Sequence, residues 1–316
     1  MTNWTTADIP DQSGRTVLIT GANSGLGLHS ATTLASKGAK VLLACRSAER
    51  GKTALADVAA HARTEPELVE LDLADLHSVR RAASQVRDST GDQLDVLMNN
   101  AGVMATPHGQ TSDGFELQVG TNHLGHAALT WLLMPALHNR PGARVVTLSS
   151  IAHLNGRIDL DDLHFRARRY TAAQAYAQSK LANLLFMLEL DRLARRSELD
   201  LVSVAAHPGM TQSELTTNTA QSHGMPQALN PVARVLTKAI AQSTAQGALP
   251  QLYAATAPEV RGGEYYGPNG FKEIWGHPDR AKRSHAASDA GTAQRLWALT
   301  EQLTGVPADP RPATSR

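Results

Sequence analysis

The stretch Arg15-Thr16-Val17-Leu18-Ile19-Thr20-Gly21-Ala22-Asn23-Ser24-Gly25-Leu26-Gly27 determines the fold. Its first half is an apolar, β-branched run typical of a buried parallel strand. A helical pattern follows from Leu28 to Lys37 and ends at Gly38, a residue that favours a helix C-terminus. Strand, glycine turn and helix N-terminus together bind phosphate, because glycines let the backbone approach the anion and the helix end offers N–H groups. The stretch therefore predicts a nucleotide pyrophosphate site.

Tyr176 and Lys180 form a second informative pattern. Four residues apart on a predicted helix, their side chains project from one face. A phenol normally releases its proton near pH ~10, and a nearby ammonium group favours the phenolate. The pair therefore indicates an acid–base tyrosine. The alternative is an ordinary helix face, on which Tyr-x-x-x-Lys also occurs.

Strand and helix patterns alternate along the chain, which is typical of a parallel sheet covered on both faces by helices. We predict strands at 16–20, 40–44, 67–71, 96–99, 143–149 and 201–206, with a short one near 263–266. The main further helices are predicted at 48–62, 76–88, 113–137 and 173–195. The fold class is thus α/β, a single Rossmann domain at 15–305 with a doubly wound parallel sheet of about seven strands. Residues 1–14 are predicted to be an N-terminal extension, and residues 306–316 a flexible tail.

Two segments depart from this alternation. Residues 152–172 exceed a minimal strand–helix connection and carry three aspartates and the basic run Arg166–Arg169. We interpret them as a surface excursion beside the site, with an acidic metal site as the alternative. Residues 210–230 are polar and follow the sixth strand, at the sheet edge where ligands bind in open α/β folds. We predict a substrate loop that closes over the site, with an inert surface loop as the alternative.

Six motifs in consistent order make the sequence resemble the short-chain dehydrogenase/reductase family over nearly its whole length. They are the glycine loop 20–27, Asp72-Leu73, Asn99-Asn100-Ala101-Gly102, the pair Asn122 and Ser150, Tyr176-x-x-x-Lys180, and His207-Pro208-Gly209. Three further stretches most resemble the retinol-dehydrogenase-like branch, which includes WW-domain oxidoreductases: Ala44–Ser47, Asn122–His126 and Ser149–His153.

The resemblance implies a catalytic tetrad of Asn122, Ser150, Tyr176 and Lys180. Tyr176 would exchange the proton of the substrate oxygen, and Ser150 would stabilise charge on that oxygen. Lys180 would lower the pKa of the phenol and bind the nicotinamide ribose, while Asn122 would hold a water beside it. Ser149 is the rival for the serine role. Adjacent strand residues face opposite ways, so one of the two serves, and the family pattern favours Ser150.

The resemblance also implies the residues that contact a nicotinamide cofactor. They are Gly21, Asn23, Ser24, Gly25, Leu26, Gly27, Arg46, Asp72, Leu73, Asn99, Ala101, Gly102, Tyr176, Lys180, Pro208, Gly209 and Thr211. A carboxylate at the end of the second strand would bind the adenine ribose of NAD, but this chain has Ala44-Cys45-Arg46 there. The guanidinium of Arg46 suits a 2′-phosphate, so NADP(H) is predicted over NAD(H). The alternative is that Arg46 is a surface arginine.

Composition limits the partners. The formal charge of +1 is scattered, which indicates no nucleic-acid surface. The lone Cys45 is consistent with a reducing compartment, and no apolar run reaches the ~20 residues of a membrane span. A cytoplasmic protein is expected, and a homodimer or homotetramer is compatible with the family. No metal site is predicted, since His123 and His126 lack the other residues of a zinc motif.

The leading functional interpretation is an NADP(H)-dependent oxidoreductase that interconverts a lipophilic aldehyde or ketone and its alcohol. One alternative is a carbon–carbon double-bond reductase on the same scaffold, as in the related protochlorophyllide reductases, which use a cysteine near the substrate. Another is a non-catalytic NADP(H)-binding sensor. The complete tetrad counts against the sensor, and the scarcity of cysteine counts against the double-bond reductase.

Overall fold

A computed structural model describes residues 3–211 and 242–309 of the chain. Within these residues, eight strands form one sheet in the order β3-β2-β1-β4-β5-β6-β7-β8. The strands are β1 (Thr16–Thr20), β2 (Lys40–Cys45), β3 (Glu67–Glu70), β4 (Val96–Asn99), β5 (Ala143–Leu148), β6 (Leu201–Ala206), β7 (Tyr265–Pro268) and β8 (Pro278–Arg280). The first seven pair in parallel, and β8 pairs antiparallel with β7.

Helices cover both faces of the sheet. They are α1 (Gly25–Ser36), α2 (Ala48–Ala59), α3 (Leu76–Thr90), α4 (Leu117–Val119), α5 (Gly125–Leu132), α6 (Met134–His138), α7 (Ala172–Arg196), α8 (Thr244–Thr256) and α9 (Ala290–Thr304). Successive strand residues point to opposite faces. Leu18 accordingly packs into the core beside α3 and α5, while Val17 and Ile19 pack into the core beside α1 and α8. The predicted doubly wound fold is confirmed.

The strand order places the functional edge. After β3 the chain crosses back over β2 and β1 to form β4, so the chain leaves β1 and β4 towards opposite halves of the sheet. A crevice opens at such a switch point, outside the carboxyl ends of the strands. The loop that begins at Gly21 and the segment after Asn99 therefore face each other across it.

Three parts of the structure differ from the sequence predictions. The helix predicted at 113–137 is broken: Gln110 bridges to Glu116, α4 begins at Leu117, and a π-helical turn, Gly120–Leu124, precedes α5. β8 was not predicted, because three residues carry too little pattern to signal a strand. The predicted flexible tail is packed at its start, since Val306 and Ala308 are buried in the core.

The rest of the tail, residues 310–316, and residues 212–230 of the predicted substrate loop lie outside the described part of the chain. The N-terminal extension packs on the domain, where the Trp4 ring meets Tyr253 edge-on at 5.2 Å between centroids. Across the described residues, no helix combines the length and apolar character that crossing a membrane requires.

Candidate active site

The glycine loop is built for close backbone packing. Gly21 and Gly25 have φ of +68° and +55°, a left-handed conformation that glycine adopts without strain. A Cβ on Gly27 would lie 2.4 Å from the carbonyl oxygen of Gly21, so no larger residue fits there. Ser24 occupies the N-cap of α1 without a capping hydrogen bond from its side chain. The first turn of α1 thus presents its N–H groups to the crevice.

The crevice is one cleft of about 350 Å3 that runs from this loop to α7. Most of the residues expected to bind cofactor line it: Gly21, Asn23, Ser24, Gly25, Leu26, Gly27, Arg46, Asp72, Leu73, Ala101, Gly102, Tyr176, Lys180 and Pro208. The structure thus brings together residues that are 187 positions apart in sequence (208 − 21).

Three expected contacts lie away from the cleft lining. The side chain of Asn99 is buried behind it and donates to Thr130 Oγ1 at 3.0 Å, while Asn100 lines the cleft instead. Gly209 packs under the carbonyl group of Ile274. Thr211 packs against Gly247 of α8 and bridges to Gln242.

One end of the cleft is basic. Arg46 follows β2, and Arg50 lies in the first turn of α2, which Ser47 caps by accepting a hydrogen bond from the Arg50 N–H at 3.3 Å. Sequence reasoning missed Arg50, although its position four residues after Arg46 on a capped helix was a usable signal. Asp72 also lines this end, and its Oδ1 accepts from the N–H of Ala74 at 2.9 Å. Two arginines and one aspartate therefore line this part of the cleft.

Tyr176 and Lys180 lie at the other end, on one face of α7. The Lys180 ammonium group is 5.7 Å from the centre of the Tyr176 ring and donates to the Leu148 carbonyl at 3.2 Å. Burial lowers the pKa of Lys180 to about 8. Burial also raises the pKa of Tyr176, opposed by hydrogen bonding with the Ser150 hydroxyl. The lowering of the tyrosine pKa that was expected from Lys180 is therefore outweighed by desolvation.

The two serines have different partners. The buried Ser149 donates its hydroxyl proton to the Lys180 backbone carbonyl at 2.8 Å. Ser150 accepts from the N–H of Ala152 at 3.2 Å, which leaves its own proton available, and it interacts with the Tyr176 hydroxyl. This geometry favours Ser150 over Ser149 as the partner of the tyrosine.

Asn122 lies in the π-helical turn behind the cleft. Its side-chain amide makes two hydrogen bonds to the backbone of Val103. Oδ1 accepts from the Val103 N–H at 2.8 Å, and Nδ2 donates to the Val103 carbonyl at 2.9 Å. Nδ2 also donates to Ser179 Oγ at 2.9 Å. The side chain is therefore engaged with protein, and the backbone carbonyl of Asn122 lies 3.0 Å from His126 Nδ1.

The histidines after Asn122 are core residues. His123 Nε2 lies 2.9 Å from Thr300 Oγ1, and His126 Nε2 lies 2.9 Å from Thr20 Oγ1. Burial lowers their pKa values to about 4 and about 3, so both are neutral at physiological pH. In the described part of the chain, no group of three or more His, Cys, Asp or Glu side chains could hold a metal ion.

Comparison with known proteins identifies the family to which the chain belongs. A family model described as short chain dehydrogenase matches residues 15–224. The chain belongs to the short-chain dehydrogenase family. As a member, it is an oxidoreductase that acts on CH–OH or C=O groups.

The relatives of this short-chain dehydrogenase support the predicted branch. It is 39% identical over 301 residues to retinol dehydrogenase 13 of Homo sapiens, covering 93% of this chain and 86% of the relative. It is 39% identical over 296 residues to retinol dehydrogenase 12 of Mus musculus, covering 93% and 87%. The predicted resemblance to the retinol-dehydrogenase-like branch is confirmed.

Solved structures agree with the fold of this short-chain dehydrogenase. An uncharacterized protein from Mycobacterium paratuberculosis superimposes with a TM-score of 0.80 at 45% identity, covering 96% of this chain and 98% of that one. An NADP complex of RhlG from Pseudomonas aeruginosa shares the fold, with a TM-score of 0.64 at 22% identity, covering 80% and 94%.

Proposed function

We propose that the protein is an NADP(H)-dependent oxidoreductase that interconverts a lipophilic aldehyde or ketone and its alcohol, with Tyr176 as the acid–base group. The observation that carries the proposal is the single cleft that joins the glycine loop and two arginines at one end to Tyr176 and Lys180 at the other. The retinol dehydrogenase relatives and the apolar side chains of Val103, Met104 and Leu148 in the cleft support a lipophilic substrate.

The cleft residues fit a nicotinamide dinucleotide. The glycines leave open backbone for a pyrophosphate, since a Cβ on Gly25 would meet no heavy atom within 4 Å. Among the described residues, three buried oxygen atoms in the cleft lining have no hydrogen-bond partner: Asn100 Oδ1, Thr106 Oγ1 and Thr121 Oγ1. Buried polar atoms normally find partners, so these atoms suit polar groups of a bound cofactor or substrate. When bound, the cofactor supplies or accepts the hydride.

The chain's own residues manage the proton. With its pKa raised by burial, the phenol of Tyr176 is protonated at neutral pH, which is the form that can protonate a carbonyl oxygen. The Ser150 hydroxyl can donate to the same oxygen and stabilise the charge that develops there. In alcohol oxidation Tyr176 accepts the proton instead. Lys180, which donates a hydrogen bond to the Leu148 carbonyl, would bind the ribose hydroxyls and favour the phenolate.

No feature of the cleft favours the two alternative functions, the double-bond reductase and the sensor. Cys45 is buried in the core at the end of β2, and burial raises the pKa of its thiol to about 11. A group so placed does not reach a substrate near Tyr176. A homodimer or homotetramer remains part of the proposal, to be tested by light scattering.

The proposal is tested by NADPH consumption. Purified protein is supplied with apolar aldehydes and ketones, with NADH in parallel. Carbonyl-dependent oxidation of NADPH, faster than that of NADH, is expected. Tight NADPH binding without turnover of any carbonyl would contradict the proposed reaction and favour the sensor.

Removing Arg46 or Arg50 should weaken the binding of NADPH more than the binding of NADH. Each guanidinium can form charge-assisted hydrogen bonds to a 2′-phosphate. We expect Arg46→Ala and Arg50→Ala each to raise the KM for NADPH about tenfold and to change that for NADH less than about twofold. The matched control is Lys52→Ala, which removes the same charge from an exposed position on α2 outside the cleft. An equal rise in KM for both cofactors would show that the arginines do not recognise the 2′-phosphate.

A further inference from the structure

One wall of the cleft has an unusual backbone. Val103, Met104 and Thr106 line the cleft, and Ala105 between them has φ of +51°. A residue with a Cβ rarely adopts this left-handed conformation. It persists only where surrounding contacts impose it. The position of the wall therefore depends on other elements of the fold.

Gln118 of α4 holds the wall from behind. Its side chain is fully buried, and Oε1 accepts a hydrogen bond from the N–H of Ala105 at 2.9 Å. Nε2 donates to the Tyr170 hydroxyl and to the Ala172 carbonyl, both at 2.9 Å. Gln118 lies four residues before Asn122, whose amide grips Val103, so one helical stretch holds the wall at two successive points.

Tyr170, which lies in the segment 152–172, also holds the wall in position. Its hydroxyl donates to the Thr106 carbonyl at 2.8 Å, on the far side of Ala105 from the bond made by Gln118. Its ring stacks on His108 at 4.6 Å between centroids and meets Phe165 edge-on at 5.5 Å. The phenol is thus fixed by packing, and it closes a ring of hydrogen bonds through Gln118, Ala105 and Thr106.

We propose that Tyr170, together with Gln118, is a positioning residue that holds Ala105 in its left-handed conformation and so fixes the Val103–Thr106 wall for substrate binding. Residues 152–172 then support the wall of the active site, in addition to forming the surface excursion that the sequence suggested. The inference rests on the proposed function, because it assigns the wall to the substrate of that reaction.

Tyr170→Phe tests the role, since it removes one hydroxyl and keeps the ring. Without the hydroxyl, Ala105 can relax and the wall can move. We expect the KM for the carbonyl substrate to rise about three- to tenfold, with kcat and the Kd for NADPH changed less than about twofold, as for a loss of uniform substrate binding.

A second substitution separates positioning from general stability. Glycine adopts a positive φ without strain, so Ala105→Gly added to Tyr170→Phe should return most of the lost substrate affinity. The control is Tyr253→Phe, which removes a hydroxyl bonded to Glu259 at 2.7 Å outside the cleft and should leave KM unchanged. An unchanged KM in Tyr170→Phe, or a rise that Ala105→Gly does not reverse, would overturn the positioning role.

Hydrogen exchange decides the matter without turnover. In the wild type, the Ala105 N–H should be protected by its bond to Gln118. In Tyr170→Phe, faster exchange confined to residues 103–106, with Tm lowered by only a few degrees, supports the proposal. Exchange identical to the wild type refutes it, even if no carbonyl is reduced. Absence of carbonyl turnover in the wild type, by contrast, would count against the proposed function.

Discussion

Replacing Tyr176 with phenylalanine should lower kcat/KM for carbonyl reduction by about a thousandfold, the usual scale for removing a general acid. The change deletes only the hydroxyl that would protonate the substrate oxygen, and the ring keeps its place on α7 beside Lys180. NADPH should bind with a Kd within about threefold of the wild type, because the glycine loop and the arginines are untouched. The measurements are steady-state NADPH oxidation and NADPH fluorescence titration.

Tyr253→Phe is the matched control for this loss. It removes a phenol hydroxyl from α8 that donates a hydrogen bond to Glu259 and lies outside the cleft lining. Full activity in this control and a thousandfold loss in Tyr176→Phe would assign the chemistry to one hydroxyl. Tyr176→Phe with more than about a tenth of wild-type activity would exclude the tyrosine as the acid.

Replacing Lys180 with methionine should inactivate the enzyme and stabilise the protein. A lysine whose pKa falls from 10.5 to about 8 carries its charge in the folded state at a cost of about 3 kcal/mol at neutral pH, as an upper limit. Methionine fills similar space without charge. The Leu148 carbonyl keeps a donor, since Asn183 Nδ2 also donates to it at 2.9 Å. Activity should fall at least about a hundredfold, because the ammonium group that favours the phenolate is lost.

The gain in stability should depend on pH in a defined window. Between the folded pKa of about 8 and the unfolded value of 10.5, the unfolded chain binds more protons at Lys180 than the folded chain does. The stability of the wild type therefore rises with pH across that window. The destabilisation caused by the buried charge of Lys180 has its full value below a pH of about 8. The advantage of Lys180→Met should be greatest at pH 7 and should shrink towards pH ~10.5.

Urea unfolding at several pH values measures this difference. The exposed Lys52 provides the control, because Lys52→Met should change neither stability nor activity appreciably. A Lys180→Met variant that is less stable than the wild type at neutral pH would show that the ammonium group is not strained by burial in the cofactor-free protein.

Much of the fold follows from local signals in the sequence. The run Thr16–Thr20, the glycine loop after it and the Tyr176–Lys180 spacing each depend on neighbours within a few residues, so pattern alone predicts them. Short, mostly apolar runs likewise predict β4 and β6 at their observed bounds. Prediction failed between 113 and 137, where the chain bridges at Glu116 and widens to a π-helical turn, because tertiary contacts of Asn122 and Gln118 override helix propensity there.

The sequence by itself determined the doubly wound sheet, and it predicted the phosphate loop and the proposed acid–base pair, because each of these depends on local spacing and residue type. Only the tertiary structure decided that Arg50 joins Arg46 in the cleft lining, and that Tyr170 holds Thr106 from 64 residues away. The packing around Tyr176 also determines that burial raises the pKa of its phenol. The physical reason is that desolvation and long-range hydrogen bonds depend on what packs around a group, and the chain order does not encode those neighbours locally.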